Sequence, residues 1–184
     1  MAVSRKIGLI VEGASDKPVV EALLANQEVN PIIRIAGGAK ILSAPSWMVP
    51  RLYADGADKV IALKDSHCRT DVENYRRQVE DQLGQIEGLE VCLVIHAIES
   101  WLLADSEAVG GYLGMTVKPV ANPEKHCKPE EELNHIFRLG GRSYVKRADA
   151  PGIARRLNHK VVSKRSPSFV AFLQAVKSKS PEVR

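Results

Sequence analysis

Glu12 and Asp16 stand where a short apolar stretch, residues 7–11, gives way to Gly13 and a helical pattern. Asp65 closes a second apolar stretch and is followed by Ser66 and His67. Acids at the C-terminal ends of neighbouring buried strands converge in one crevice, the usual ligand site of an open α/β sheet. Several oxygen ligands in one place suit a hard cation such as Mg²⁺. Glu12 and Asp16 are four residues apart, so both can point the same way across a first helical turn. Each acid alone has a plainer role. Ser15 or Asp16 can cap a helix, an acid in a first turn favours the helix dipole, and Glu12 can be a turn residue before Gly13. The recurrence of acids at two strand ends is what points to a metal site.

The elements that must position these acids alternate along the chain. Residues 7–11 read as a strand, and residues 17–24 as a helix that tolerates Pro18 in its first turn. Residues 31–35 form a second short strand closed by Gly37-Gly38. Residues 45–53 carry Trp47, Met48, Leu52 and Tyr53 as a helical stripe. A third strand over 58–63 leads to a helix over 70–83, whose polar face holds Glu73, Arg76, Arg77 and Glu80. Residues 90–95 are apolar almost throughout, as in a strand buried on both faces. The alternation predicts an α/β fold, with a mostly parallel, Rossmann-like sheet flanked by helices.

Beyond residue 96 the pattern becomes helical. Helices are expected over 97–104, 107–113, 130–137, 153–157 and 168–176, with a proline-rich loop over 119–129. Three parts follow: an α/β core over 1–105, a mostly helical basic portion over 106–177 packed on that core, and a frayed tail over 178–184.

The chain has 184 residues, 45% hydrophobic and 26% charged, within the range of ordinary globular proteins. Its net charge of +4 is unevenly spread. Between Arg138 and Arg165 nine basic residues face the single acid Asp149, a local charge of +8 that leaves −4 elsewhere. A basic segment beside an acidic pocket fits a phosphate-bearing partner such as nucleic acid; the alternative is a solvated basic face. Arg142, Arg147, Arg155, Arg156 and Lys160 are the residues expected to meet a phosphate backbone.

Cys68, Cys92 and Cys127 are odd in number and scattered, which argues for a reducing compartment rather than a disulfide framework. His67 and His126 lie beside cysteines, but no CxxC or HxxxH spacing supports zinc. No apolar run approaches membrane-spanning length, and residues 7–11 are too short for a signal-peptide core. A cytoplasmic protein that does not enter the membrane is expected.

Val11-Glu12-Gly13-Ala14-Ser15-Asp16 after a strand resembles the first motif of Toprim domains, especially those of OLD-type nucleases. The second Toprim motif, Asp-x-Asp after the third strand, falls on Asp65-Ser66-His67, where His67 replaces the second acid. Four further strings are Glu99-Ser100-Trp101-Leu102-Leu103-Ala104-Asp105, Asn122-Pro123-Glu124, Tyr144-Val145-Lys146 and Ser166-Pro167-Ser168-Phe169. In order, they resemble an uncharacterised bacterial Toprim-like group classed as domain of unknown function 4276. This resemblance runs over almost the whole chain.

The resemblance implies Mg²⁺- or Mn²⁺-dependent cleavage of DNA or RNA in a phage- or mobile-element-defence setting. Glu12, Asp16, Asp65 and Glu99 would hold metal, with Glu12 and Asp65 central to catalysis. Lys146 would stabilise charge, since a lysine after the helical insertion occupies the comparable place in OLD-type nucleases. His67 is a replacement ligand, a base or a space-filler; imidazole suits Mn²⁺ better than Mg²⁺. Relatives of this class commonly work with an ABC-type or related ATPase. The chain has no Gly-x-x-x-x-Gly-Lys-Ser/Thr loop, so such an ATPase would be a separate protein. Two rival readings are a non-catalytic, nucleic-acid-binding or regulatory subunit and a different phosphotransfer enzyme on a doubly wound sheet.

Overall fold

Four parallel strands form the centre of the molecule: β1 (Arg5–Val11), β2 (Val29–Ile35), β3 (Lys59–Asp65) and β4 (Leu89–Val94). The computed structural model describes residues 4–178. The strand order is β2-β1-β3-β4, with Ile7 opposite both Pro31 and Lys59, and Asp65 opposite Val94. Pro31 has no N–H to give to a ladder, and it lies on an edge strand, where that loss is tolerated.

The first crossover, through α1 (Asp16–Leu24), carries the chain from β1 to β2. The second runs through a 3₁₀ turn (Gly38–Leu42) and α2 (Pro45–Ala54) to β3, on the other side of β1. Helix α3 (Val72–Leu83) then joins β3 to β4. Alternating residues of the strands divide the core. Ile7, Leu9, Val11, Ile61 and Leu63 pack with Val19, Val20 and Leu23 of α1, while Ile10, Val60 and Ala62 pack with Met48, Val49 and Leu52 of α2. The first crossover, from β1 to β2, and the second, from β2 to β3, thus lie on opposite faces of the sheet. The crevice between the C-terminal ends of β1 and β3 is the topological switch point, where such sheets take their ligands.

The second half joins the α1 face. It comprises α4 (Glu99–Leu103), α5 (Ser106–Leu113), a 3₁₀ turn (Pro123–Lys125), α6 (Pro129–Leu139), α7 (Lys146–Ala154), α8 (His159–Arg165) and α9 (Pro167–Lys177). Trp101 is fully buried, stacked on Phe172 at 5.2 Å and edge-on to Phe169 at 5.3 Å, and its indole N–H donates to Ser168 Oγ. Glu124 accepts from the Ser168 N–H and from the Ser166 and Ser168 hydroxyls. Asp105 caps α5 through the Ala108 N–H and also accepts from the Asn158 N–H. Three of the strings singled out in the sequence therefore interlock as one anchor for the C-terminal helices.

Several expectations need correction. The helix expected over 153–157 is the end of α7, which starts at Lys146 and runs through Pro151 and Gly152. Gly152 lets α7 approach the Tyr112 ring, where a Cβ would collide. Helix α8 escaped the sequence reading because its basic residues obscure the apolar period; Asn158 caps it and only Val162 is deeply buried. Cys68 and Cys127, expected as free thiols, form a disulfide: the loop after β3 is brought against the segment before α6, across 59 residues of sequence. Of the tail expected to fray, only Ser178 is described, and its hydroxyl accepts from the buried Lys59 at 2.6 Å; residues 179–184 lie outside the described residues.

Candidate active site

Glu12 follows β1 directly and turns its carboxylate toward β3. Its Oε1 accepts from the Asp65 backbone N–H at 2.9 Å and from Lys64 Nζ at 2.5 Å. Lys64 is held by this contact and by the Asp65 carbonyl at 2.7 Å, and it is only 5% exposed. The sequence reading missed Lys64, because a lysine at the end of an apolar strand reads as a solvated rim.

Asp16 opens α1 and folds back so that its Oδ2 accepts the Gly13 N–H at 2.8 Å. Its Oδ1 faces Lys146 Nζ at 2.8 Å. Glu99 opens α4 and is 1% exposed; its Oε1 and Oε2 lie 3.0 and 3.2 Å from the same ammonium group. Lys146 is the first residue of α7, so three helix starts, α1, α4 and α7, present these groups to one another. Asp16 Oδ1 and Glu99 Oε1 are buried, and the lysine is too poorly aligned to give either a well-directed hydrogen bond.

The start of α7 is itself fixed by Asp149, which is 1% exposed. Asp149 accepts from the Val145 N–H at 2.7 Å and the Tyr112 hydroxyl at 2.8 Å, and it pairs with Arg142. Arg142, expected at a phosphate backbone, also lies over the Phe137 and Tyr112 rings and keeps its side chain half-exposed. Arg156 donates to the Gly152 carbonyl and rests on Tyr112. Arg147, Arg155 and Lys160 are exposed on the same C-terminal portion.

The electrostatics follow from crowding. Burial, and then the charges of Glu12, Asp16 and Glu99, push the Asp65 carboxyl well above its ordinary range against the opposing pull of Lys146. Burial also raises Glu99, outweighing Lys146. For Lys146 the balance is reversed: burial disfavours its charge, but Glu99 and Asp16 together hold it above the usual lysine range. Four carboxyls against two ammonium groups leave a formal charge of −2 when all are ionised.

That residual charge, the hard oxygen donors and the poorly bonded Asp16 and Glu99 oxygens fit a divalent cation. The site is not preassembled for one. Among the described residues, no group of three or more His, Cys, Asp or Glu side chains stands ready to hold an ion, because Lys146 sits between Asp16 and Glu99. His67 is exposed, has φ +50°, and places Nε2 3.6 Å from Glu12 Oε2. All four expected metal ligands, Lys146 and His67 therefore belong to one neighbourhood.

A cavity of about 520 Å³ adjoins it, lined in part by His67, His96, Asn134 and Tyr144, with the Cys68–Cys127 disulfide in its wall. The Tyr144 hydroxyl is buried without a hydrogen-bond partner; burial, then the Glu99 and Glu130 charges, raise it far above its ordinary range.

Among the described residues no helix is long and apolar enough to cross a membrane. No solved structure is significantly similar to the chain. It is 22% identical over 132 residues to a cytochrome P450 monooxygenase, alt3, of Alternaria solani; the match covers 67% of this chain and 25% of that protein. The chain thus aligns with about a quarter of that relative's length. The profile of the family described as "Domain of unknown function (DUF4276)" matches residues 11–177, and the chain belongs to that family.

Proposed function

We propose that this protein is a divalent-metal-dependent nuclease that cleaves phosphodiester bonds of DNA or RNA, with a Toprim-like arrangement of its acids. The observation that carries the reading is the convergence of Glu12, Asp16, Asp65 and Glu99 around Lys146 at the switch point of the parallel sheet. Glu12, Asp16, Asp65 and Glu99 would hold Mg²⁺ or Mn²⁺. The ion would offset charge on the phosphate and make a bound water a better nucleophile. Lys146 supplies positive charge for the phosphoryl oxygens once it is released from Asp16 and Glu99. Lys64 fixes the Glu12 carboxylate, and the Asp65 N–H aligns it. Burial and the neighbouring acids raise the Asp65 carboxyl, so an ion there would offset the charge that they crowd together.

Arg147, Arg155 and Lys160 are exposed and would follow the phosphate backbone. A separate ABC- or OLD-type ATPase is the expected protein partner, and defence against phage or mobile elements the expected setting. The P450 likeness adds no reading, since it spans only a quarter of that protein at 22% identity.

The test is a cleavage assay with purified protein on supercoiled plasmid, linear duplex, single-stranded DNA and RNA, with Mg²⁺, Mn²⁺ or chelator, alone and with the partner ATPase. Cleavage that needs metal and disappears in Glu12→Ala and Asp65→Ala supports the reading. No cleavage of any substrate under any of these conditions favours a non-catalytic, nucleic-acid-binding or regulatory subunit.

A further inference from the structure

The cavity beside the carboxylate cluster contains a histidine whose proton placement is dictated by the backbone. His96 follows β4, has φ +59° and is 8% exposed. Its N–H donates to Ser66 Oγ at 2.7 Å, and its carbonyl accepts the His67 N–H at 2.8 Å. Its ring Nδ1 lies 2.6 Å from the His67 carbonyl oxygen. A carbonyl only accepts, so Nδ1 keeps its hydrogen in both charge states of the ring. The exchangeable position is therefore Nε2, which no group among the described residues engages and which belongs to a side chain lining the cavity. A non-glycine residue in the left-handed region is uncommon, and two facing histidines hold it here, at the ends of β3 and β4.

The same cavity is lined by Tyr144, whose buried hydroxyl makes no well-formed hydrogen bond and lies under the influence of Glu99. Asn134 spends its Oδ1 on the Tyr144 N–H at 3.1 Å, which leaves its amide N–H₂ for a ligand. Two of its lining residues reach toward the carboxylate cluster: His67, which approaches Glu12, and Tyr144, which feels the Glu99 charge.

We propose that His96 Nε2 donates the proton to the sugar oxygen that leaves during phosphodiester cleavage, with the leaving nucleotide seated in this cavity against Tyr144 and Asn134. This inference rests on the nuclease reading. The step starts from the ring protonated at both nitrogens; a water oxygen forms the new P–O bond while the P–O bond to the sugar breaks. The electron pair of the broken bond passes to the leaving oxygen, which takes the Nε2 proton. His96 is left neutral and regains a proton from solvent, into which the attacking water has released its own. His67 is not the donor, because its ring is exposed and its Nε2 faces Glu12.

The test uses the full chain, the metal that supports cleavage, and oligonucleotides whose cleaved linkage carries oxygen or a bridging sulfur at either the 3′ or the 5′ position. A thiolate leaves without protonation. His96→Asn keeps a residue that accepts the left-handed conformation, and a melt checks its fold. It should slow the oxygen ester by about 10²–10⁴-fold and slow one of the two sulfur esters by less than about tenfold, since proton transfer no longer limits that reaction. Equal slowing of the oxygen ester and both sulfur esters, or no slowing, overturns the assignment while leaving the nuclease reading intact. Wild-type protein inactive on every ester overturns both. Independently of activity, ¹⁵N NMR of the imidazole should show the neutral ring protonated at Nδ1; protonation at Nε2 removes the basis of the proposal.

Discussion

Replacing Lys146 with methionine should destabilise the fold by about 3 kcal/mol at neutral pH, near the lower end of the roughly 3–5 kcal/mol for removing one member of a buried ion pair. The lower end applies because the lysine side chain is 19% exposed, whereas its partner Glu99 is 1% exposed. Methionine also retains the packing of the lysine stem. Without the ammonium, Asp16 and Glu99 face each other and Asp65 with only Lys64 in opposition. For a chain of this length the loss corresponds to a fall of about 6–12 °C in Tm. Glu99→Gln should cost no more than about 1 kcal/mol, since burial already disfavours the Glu99 charge and Lys146 keeps Asp16. The double variant should lose less than the sum of the two, with a coupling of about 1–3 kcal/mol. Urea denaturation of the four proteins at equal slope measures all three quantities. A Lys146→Met protein within about 1 kcal/mol of wild type, or a coupling near zero, would refute the claim that these groups form one buried cluster.

Three further outcomes follow from the same packing and charges. Trp101→Ala should cost about 3–5 kcal/mol by leaving a cavity against Phe169 and Phe172; Trp101→Phe, which loses chiefly the bond to Ser168, should cost less, and equal losses in urea melts would contradict this account. Asp65 and Glu99 have raised carboxyls, so the folded state binds their protons more tightly than the unfolded state. Their contribution to stability is therefore gained as pH falls through their folded values toward the unfolded ones, and is absent above. Calorimetry of metal-free protein from pH 8 to about pH 5 should show a rise that is smaller in Asp65→Asn, and identical profiles would exclude the effect. Opening the Cys68–Cys127 bond, which closes a loop across 59 residues, should lower stability by up to roughly 4 kcal/mol; under non-reducing conditions the two cysteines should resist alkylation, and free labelling of both would show the bond absent.

Glu12 and Asp65 stood out in the sequence because each lies at the end of an apolar strand, where the change from buried to polar is abrupt. Glu12 and Asp65 needed only the parallel alternation to be placed together, and the order β2-β1-β3-β4 puts them on adjacent strands. Lys64 was not legible, since its burial depends on Glu12 arriving from another strand. The left-handed turns at His67 and His96 were hidden because nothing local marks them; each is held by the other's backbone. The pairing of Arg142 with Asp149, seven residues on, was hidden for a similar reason, although the arginine side chain stays half-exposed.

The most direct test of the central claim is an anomalous-scattering map from crystals of the protein soaked in Mn²⁺. The account predicts a peak between the ends of β1 and β3, with oxygens of Glu12 and Asp65 and at least one of Asp16 and Glu99 at about 2.0–2.6 Å, and with the Lys146 ammonium displaced. A map with no peak there, in crystals where Lys146 still bridges Asp16 and Glu99, would contradict it.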